Sequence, residues 1–189
     1  MRIISGDLKG SSLYLPKNKN TRPLKDLVRE SIFNLLTHSN KISFNIEQSD
    51  VLDLFSGTGA FGLECLSRKA KKVFFIENEK NAIIILKKNV KKLKLQNKTK
   101  IFANDVFKIL KKNILAPSNF DLIFCDPPFK NSNIKELFDL LLEIKILKND
   151  GIIVLHRNKS LKEKFPNYFK IIDERIYGVS KIIFGKFWP

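Results

Sequence analysis

Cysteine is scarce in this chain, and its scarcity excludes a good deal. Only Cys65 and Cys125 occur among 189 residues. One falls in a helical pattern and the other in a strand pattern, so neither a disulfide framework nor a zinc-ligand spacing is present. That usage predicts a reducing, cytoplasmic setting. Long apolar runs are missing too: none reaches the roughly 18 residues that a membrane-spanning helix requires. The opening residues, Met1-Arg2-Ile3-Ile4-Ser5-Gly6-Asp7, carry no apolar signal-peptide core. Internal repeats and low-complexity linkers are absent. Carboxylates are few, 19 against 35 Lys and Arg, giving a formal net charge of +16. Arginine stands only at positions 2, 22, 29, 68, 157 and 175, so 29 of the 35 basic residues are lysine. A polyanionic partner, nucleic acid first, explains such a charge. So does the coding bias of an A+T-rich genome, which raises Lys together with Asn, Ile and Phe. Charge alone leaves both readings open.

Hydrophobic residues make up 43% of the chain, enough for one domain with an ordinary core and a small appendage. The appendage is expected over residues 1–45. It begins with a short hairpin, Arg2-Ile3-Ile4 against Ser12-Leu13-Tyr14-Leu15, turning at Gly6 and Gly10. A polar loop follows, and then a helix with Leu24, Leu27, Val28, Ile32, Leu35 and Leu36 on one face. From residue 46 to 189 the pattern alternates. Strands are expected at 51–54, 72–76, 100–103, 121–125 and 152–155, and helices at 60–68, 79–92, 106–111 and 133–146. Two last runs, Tyr168–Ile176 and Val179–Phe187, hinge at Tyr177-Gly178 as a hairpin. Alternation of this kind predicts an α/β fold: a mostly parallel sheet covered on both faces, with antiparallel pairing from the C-terminal hairpin. The lysines near 87–94 lie on a helix and read as a solvated face.

Asp53-Leu54-Phe55-Ser56-Gly57-Thr58-Gly59-Ala60-Phe61-Gly62 contains G-x-G-x-x-G between a strand and a helix. The fingerprint alone suggests a dinucleotide. Glu77, about 20 residues on at the end of the next strand, can accept hydrogen bonds from both ribose hydroxyls. Gly57 and Gly59 let the backbone approach a ligand closely. Asp53 separates two adenosine ligands: a pyrophosphate disfavours a carboxylate there, whereas the sulfonium amino acid of S-adenosylmethionine favours one. The same carboxylate could instead orient the turn. Asp105 follows the third strand and can accept an adenine amine or cap the next helix. Phe55, Asn78 and Val106 stand beside these residues and complete the expected cofactor set. Asp126-Pro127-Pro128-Phe129 ends the fourth strand. Each proline holds the residue before it in extended geometry and lacks an N–H. A carboxylate, rigid carbonyls and an aromatic face therefore meet where open α/β sheets bind ligands. Such a cluster can hold a planar base by its exocyclic amine.

The tetrapeptide resembles the D/N-P-P-F/Y motif of class I methyltransferases that modify exocyclic amines. Further stretches are similar to the RsmD family, the bacterial 16S ribosomal RNA guanine-N2 methyltransferases. These are Arg2-Ile3-Ile4-Ser5-Gly6, Lys9-Gly10, Thr21-Arg22-Pro23, Val28-Arg29-Glu30-Ser31-Ile32-Phe33-Asn34, Leu52 to Gly59, Gly62-Leu63-Glu64-Cys65-Leu66-Ser67-Arg68 and Tyr177-Gly178. The likeness runs nearly end to end. It departs at Phe129, where tyrosine is common, at Lys69, where glycine often follows, and at Leu24-Lys25, where threonines often stand. The resemblance implies a Rossmann-like class I fold, S-adenosylmethionine as cofactor, and 16S rRNA in an assembling 30S subunit as partner. It also implies a monomer with no metal. Asp126 and the Pro127 carbonyl would accept the two hydrogens of guanine N2 and pull the nitrogen toward tetrahedral geometry. Pro128 stiffens the turn, and Phe129 stacks on the extruded base. Asp126 takes the proton late and is not a strong base. Thr21 and Arg22 would close over the pocket, Arg22 on a phosphate or on the cofactor carboxylate; a capped helix start is the other reading. His156 and Arg157 follow the fifth strand, where His156 reads as structural. The alternatives are an adenine-N6 methyltransferase, a non-catalytic rRNA-binding assembly factor and an NAD-dependent oxidoreductase.

Overall fold

The strands are short apolar runs because helices cover both faces of the sheet they form. A computed structural model describes residues 1–16, 24–42, 44–128 and 133–188. In chain order it has α1 (Asp26–His38), β1 (Asp50–Leu54), α2 (Ala60–Ser67), β2 (Lys72–Glu77) and α3 (Lys80–Lys92). After a 3-10 turn at Gln96–Lys98 come β3 (Thr99–Ala103), α4 (Val106–Lys111), β4 (Phe120–Cys125), α5 (Ile134–Glu143), β5 (Leu147–Asn158), β6 (Phe169–Tyr177) and β7 (Ser180–Phe187). The seven-stranded sheet runs β3-β2-β1-β4-β5-β7-β6. Strands β1 to β5 are parallel, and β7 pairs antiparallel with both β5 and β6. Chain order reverses beside β1, which has β2 on one side and β4 on the other. That is the switch point where ligands bind in open sheets. Register carries it to a single edge: Leu54 lies level with Ile76 and Cys125, and Glu77 with Ala103.

One face of the sheet is covered by α2, α3, α1 and the N-terminal segment, the other by α4 and α5. Every residue of α2 is buried, so its one carboxylate must find partners inside. Glu64 does: it accepts the N–H of Ile4 at 2.7 Å, that of Ser5 at 2.9 Å and Arg68 Nε at 2.9 Å. Arg29 of α1, fully buried, lies 3.9 Å away and also meets Asp26 and the Arg2 carbonyl. Burial lowers its pKa, opposed by Asp26 and Glu64. A second clasp joins the same segments: Ser67 accepts from Asp7 N at 2.8 Å and from Leu8 N at 3.0 Å. Gly6 sits there at φ +81°, where a Cβ would stand 1.9 Å from the Ser67 carbonyl oxygen.

The N-terminal hairpin forms as one antiparallel bridge, Arg2 with Ser12, with Ile3 N–H on the Ser11 carbonyl at 2.9 Å, Gly10 N–H on the Ile3 carbonyl at 2.9 Å and Leu13 N–H on the Met1 carbonyl at 3.0 Å, while the N–H groups of Ile4 and Leu8 turn to Glu64 and Ser67. Leu27 is 69% exposed and not on the buried face of α1. The face is built from Val28, Arg29, Ile32, Phe33 and Leu36, an arginine occupying a place that an apolar pattern assigns to leucine. Leu24 is buried but precedes the helix. Strand β5 extends to Asn158, so His156 and Arg157 lie within it, not after it.

Asp53 closes the joint between β1 and α2. It is 1% exposed; one carboxyl oxygen accepts the Gly62 N–H at 3.0 Å and the other has no partner among the described residues. Burial pushes its carboxyl well up, the Gly62 N–H opposes that, and the nearby Asp126 and Glu77 carboxylates reinforce it. The native state thus retains a proton that the unfolded chain releases above about pH 4. Stability contributed by this group is present below that pH and is lost as pH rises toward the folded value. We expect the urea midpoint of Asp53→Asn to fall less than the parent's between about pH 4 and 8; parallel curves would refute the assignment. A second expectation concerns Gly6. Gly10 also has positive φ, +85°, but open space where a Cβ would go. Gly10→Ala should cost about 1–2 kcal/mol. Gly6→Ala should cost clearly more, lowering Tm by several further degrees; equal losses would remove the close approach from the argument.

Candidate active site

Four loops, after β1, β2, β3 and β4, lie at the carboxyl edge of the strands. After β1, Phe55 takes φ +58° and Ser56 donates its N–H to the Ile76 carbonyl at 3.0 Å. Gly57 takes φ +54°, and nothing lies within 4 Å of where its Cβ would be. The backbone there is bare on its outer side, as a ligand approaching closely requires. Gly59 faces inward, with Leu86 against it.

Glu77 ends β2 and is 9% exposed. One of its oxygens accepts the Gly57 N–H at 2.7 Å; the other accepts the N–H groups of Asn78 and Glu79, both at 2.8 Å. A carboxylate offers about four acceptor positions, so capacity remains for a hydroxyl from outside. The Asn78 side chain is exposed. After β3, Asp105 caps α4, accepting the Lys108 N–H at 3.0 Å. Val106 is buried behind it, and Phe107 meets Phe55 edge-on at 6.4 Å. Of the expected cofactor residues, Phe55, Gly57, Glu77, Asn78 and Asp105 come to this edge. Asp53 and Val106 support it from beneath.

Asp126 follows β4 and is tied to β1 through its N–H and the Leu54 carbonyl, 3.4 Å apart. Its Oδ1 lies 2.8 Å from His156 Nδ1, and His156 Nε2 lies 2.9 Å from Ser180 Oγ. A carboxylate only accepts, so in the neutral ring Nδ1 carries the proton and Nε2 accepts from the Ser180 hydroxyl. Asp126 Oδ2 has no hydrogen bond among the described residues. Arg157, 2% exposed, donates from Nη1 to the Pro127 carbonyl at 3.3 Å and reaches the Pro128 carbonyl at 3.5 Å. Its Nε donates to Glu163 at 2.7 Å. The proline turn is thus held by two residues of β5, neither of which is in the expected catalytic set. Their signal in the sequence is topological only: a strand beside β4 whose last residues are basic. Phe129, Thr21 and Arg22 lie outside the described residues. Among the described residues, no group of three or more His, Cys, Asp or Glu is placed to hold a metal ion, and no helix is long and apolar enough to cross a membrane.

The edge offers bare glycine backbone and the carboxylates of Glu77 and Asp126, both close enough to raise the pKa of the buried Asp53 beneath them. That donor set suits a nucleoside carrying positive charge and disfavours a pyrophosphate. The comparisons with known proteins agree in fold. The family model described as Conserved hypothetical protein 95 matches residues 1–186. Ribosomal RNA small subunit methyltransferase D of Buchnera aphidicola subsp. Baizongia pistaciae is 37% identical, covering 86% of this chain and 79% of its own. The protein of the same name from Haemophilus influenzae is 33% identical, covering 95% and 90%. Among solved structures, yhhF from Escherichia coli superposes with a TM-score of 0.82 at 27% identity, covering 99% of this chain and 97% of that one. With a matching family model over nearly its whole length and relatives of this identity and coverage, the chain belongs to the ribosomal RNA small subunit methyltransferase D (RsmD) family and has its class I methyltransferase fold.

Proposed function

We propose that this protein transfers a methyl group from S-adenosylmethionine to the exocyclic N2 of a guanine in 16S rRNA. It acts as a monomer in the cytoplasm, on the RNA of an assembling small subunit. The observation that carries the reading is the Asp126 carboxylate, fixed by His156 and flanked by the Pro127 carbonyl, on the same strand edge as the Glu77–Gly57 joint.

Bound S-adenosylmethionine supplies a sulfonium methyl whose carbon–sulfur bond breaks as the bond to nitrogen forms, the sulfur keeping the electron pair. Glu77 accepts from the ribose hydroxyls while continuing to hold the glycine loop. Asp105 accepts from the adenine amine. Asp126 and the Pro127 carbonyl accept the two N2 hydrogens of guanine. Its N2 lone pair is delocalised into the ring, and this pairing draws the nitrogen toward tetrahedral geometry, so the lone pair points outward. Asp126 takes the proton that N2 releases once the methyl has arrived. His156 sets the orientation of that carboxylate, and Arg157 sets the tilt of the proline turn. Most of the acceleration comes from placement, because a sulfonium is already a good leaving group.

Two outcomes test the roles separately. Asp126→Ala should lower methyl transfer by about 10²–10⁴-fold with an unchanged dissociation constant for S-adenosylmethionine; undiminished transfer would refute the mechanism. Glu77→Ala should weaken cofactor binding by about tenfold or more, since hydrogen bonds to a charged group are worth about 1.5–3 kcal/mol. An unaltered constant in calorimetry would remove Glu77 from the ribose role. The whole assignment is tested by labelling small subunits from cells lacking the protein with tritiated cofactor, followed by nucleoside analysis. Label in N2-methylguanosine is expected; label in N6-methyladenosine, or none, would overturn it.

A further inference from the structure

Between Lys80 and Asn104 the chain has eight lysines and no Asp, Glu or Arg. In the fold this stretch is α3, the 3-10 turn and β3, the unit that closes one end of the sheet. All eight lysines are exposed. Some lysines elsewhere have carboxylate partners, among them Lys69 with Glu47, Lys111 with Glu136, Lys135 with Asp139 and Lys148 with Asp121. Among the described residues none of the eight has one. A coding bias raises lysine everywhere and does not explain why acids are excluded here. Other structural reasons cover only part of it. Lysine on an edge strand discourages strand pairing, which accounts for Lys100. Cations suit a helix C-terminus, which accounts for Lys91 and Lys92. Lys80, Lys87, Lys88, Lys94 and Lys98 remain, and Lys87 and Lys88 each stand four residues from another lysine in a repulsive spacing.

The wall also adjoins the site. Helix α3 starts three residues after Glu77, at the ligand edge. Tyr14, 51% exposed, stands beside it with Lys92 Nζ 4.8 Å from its ring centre. The fully buried Asn89 side chain accepts the Tyr14 N–H at 2.8 Å and donates to the Thr58 carbonyl of the glycine loop at 3.1 Å. An exposed ring is thus anchored to the cofactor loop at the margin of an acid-free basic surface. Unpaired cations that track a phosphate backbone, with an aromatic platform for a base, are the pattern of single-stranded nucleic-acid binding.

We propose that the α3–β3 wall, with Tyr14, is the surface along which single-stranded RNA leading to the target nucleotide lies. The inference rests on the methyltransferase reading for its substrate, but binding tests it independently. The triple variant K87Q/K88Q/K91Q removes three charges with little change in helix propensity. K69Q/K111Q/K135Q removes three ion-paired lysines elsewhere. In fluorescence anisotropy with a labelled single-stranded RNA oligonucleotide, the first variant should flatten the slope of log affinity against log salt by about 2. The second should leave it within error. With small-subunit RNA as substrate, KM should rise about tenfold for the first variant with kcat unchanged. Y14A should weaken binding at least about fivefold without changing the salt slope, because stacking carries no counterion release. Equal effects of the two triple variants, or an unmoved slope and KM, would overturn the proposal. So would a loss of binding to anionic phospholipid vesicles with RNA binding intact. Failure of the wild type to methylate would instead count against the function proposed above, leaving anisotropy to judge the wall.

Discussion

The ligand edge depends on the carboxylate of Glu77 and the three backbone N–H groups it accepts. Those groups belong to Gly57 on one side and to Asn78 and Glu79 on the other. One side chain therefore joins the turn after β1 to the turn after β2, two loops that are not consecutive in any hydrogen-bonded element. Hydrogen bonds to a charged acceptor are worth about 1.5–3 kcal/mol each, and here they add to the β1–β2 pairing and to the Ser56 N–H bond to the Ile76 carbonyl. Glu79 then caps α3 through the N–H groups of Asn81 and Ala82. The direction in which the basic helix leaves the site is set by the same joint. A ligand bound at Glu77 adds to a scaffold already in place, which keeps the ordering cost of binding low.

The stretches that carry the family resemblance divide into two sets with different physical work. Leu52 to Gly59 and Asp126 to Pro128 make the ligand edge. Arg2 to Gly6 and Gly62 to Arg68 instead make each other: the N–H groups of Ile4 and Ser5 bond Glu64, and Gly6 lets the chain lie against Ser67. Arg29 brings α1 into the same joint. A buried carboxylate is costly unless its partners are complete, and three donors on Glu64 meet that requirement. The N-terminal segment thus covers α2, whose other end presents the glycine loop.

Most strands and helices were legible because parallel strands read as apolar runs and the helices between them as 3.6-residue periods. Asp105 as a cap and an acid at the end of β2 were legible from spacing, whereas the three backbone N–H groups on Glu77 were not. What was not legible has a common cause. Arg29, Glu64, His156 and Arg157 are charged or polar residues in buried places, and a pattern that assigns charge to the surface has no place for them. Leu27 is the converse, a leucine on the solvent face because Arg29 takes the inner position. The C-terminal end of β5 was underestimated for the same reason: its last residues are polar, yet they face Asp126, Ser180 and the proline turn and not water. Such residues become visible only when their partners are known.

His156 bears on what kind of group Asp126 is. An imidazole nitrogen at 2.8 Å holds one oxygen of the carboxylate in place. It also removes rotation about the side chain, because Oδ1 is held by a ring that is itself held by Ser180. Oδ2 is then the oxygen turned to accept a hydrogen, at a position set by two strands and no longer by a free torsion. Placement is what the proposed reaction needs, because the guanine amine is weakly nucleophilic through its lone-pair geometry and the sulfonium leaving group needs no help. Arg157 acts in the same sense on the Pro127 carbonyl, so both acceptors that the proposed mechanism offers to the substrate are fixed from β5.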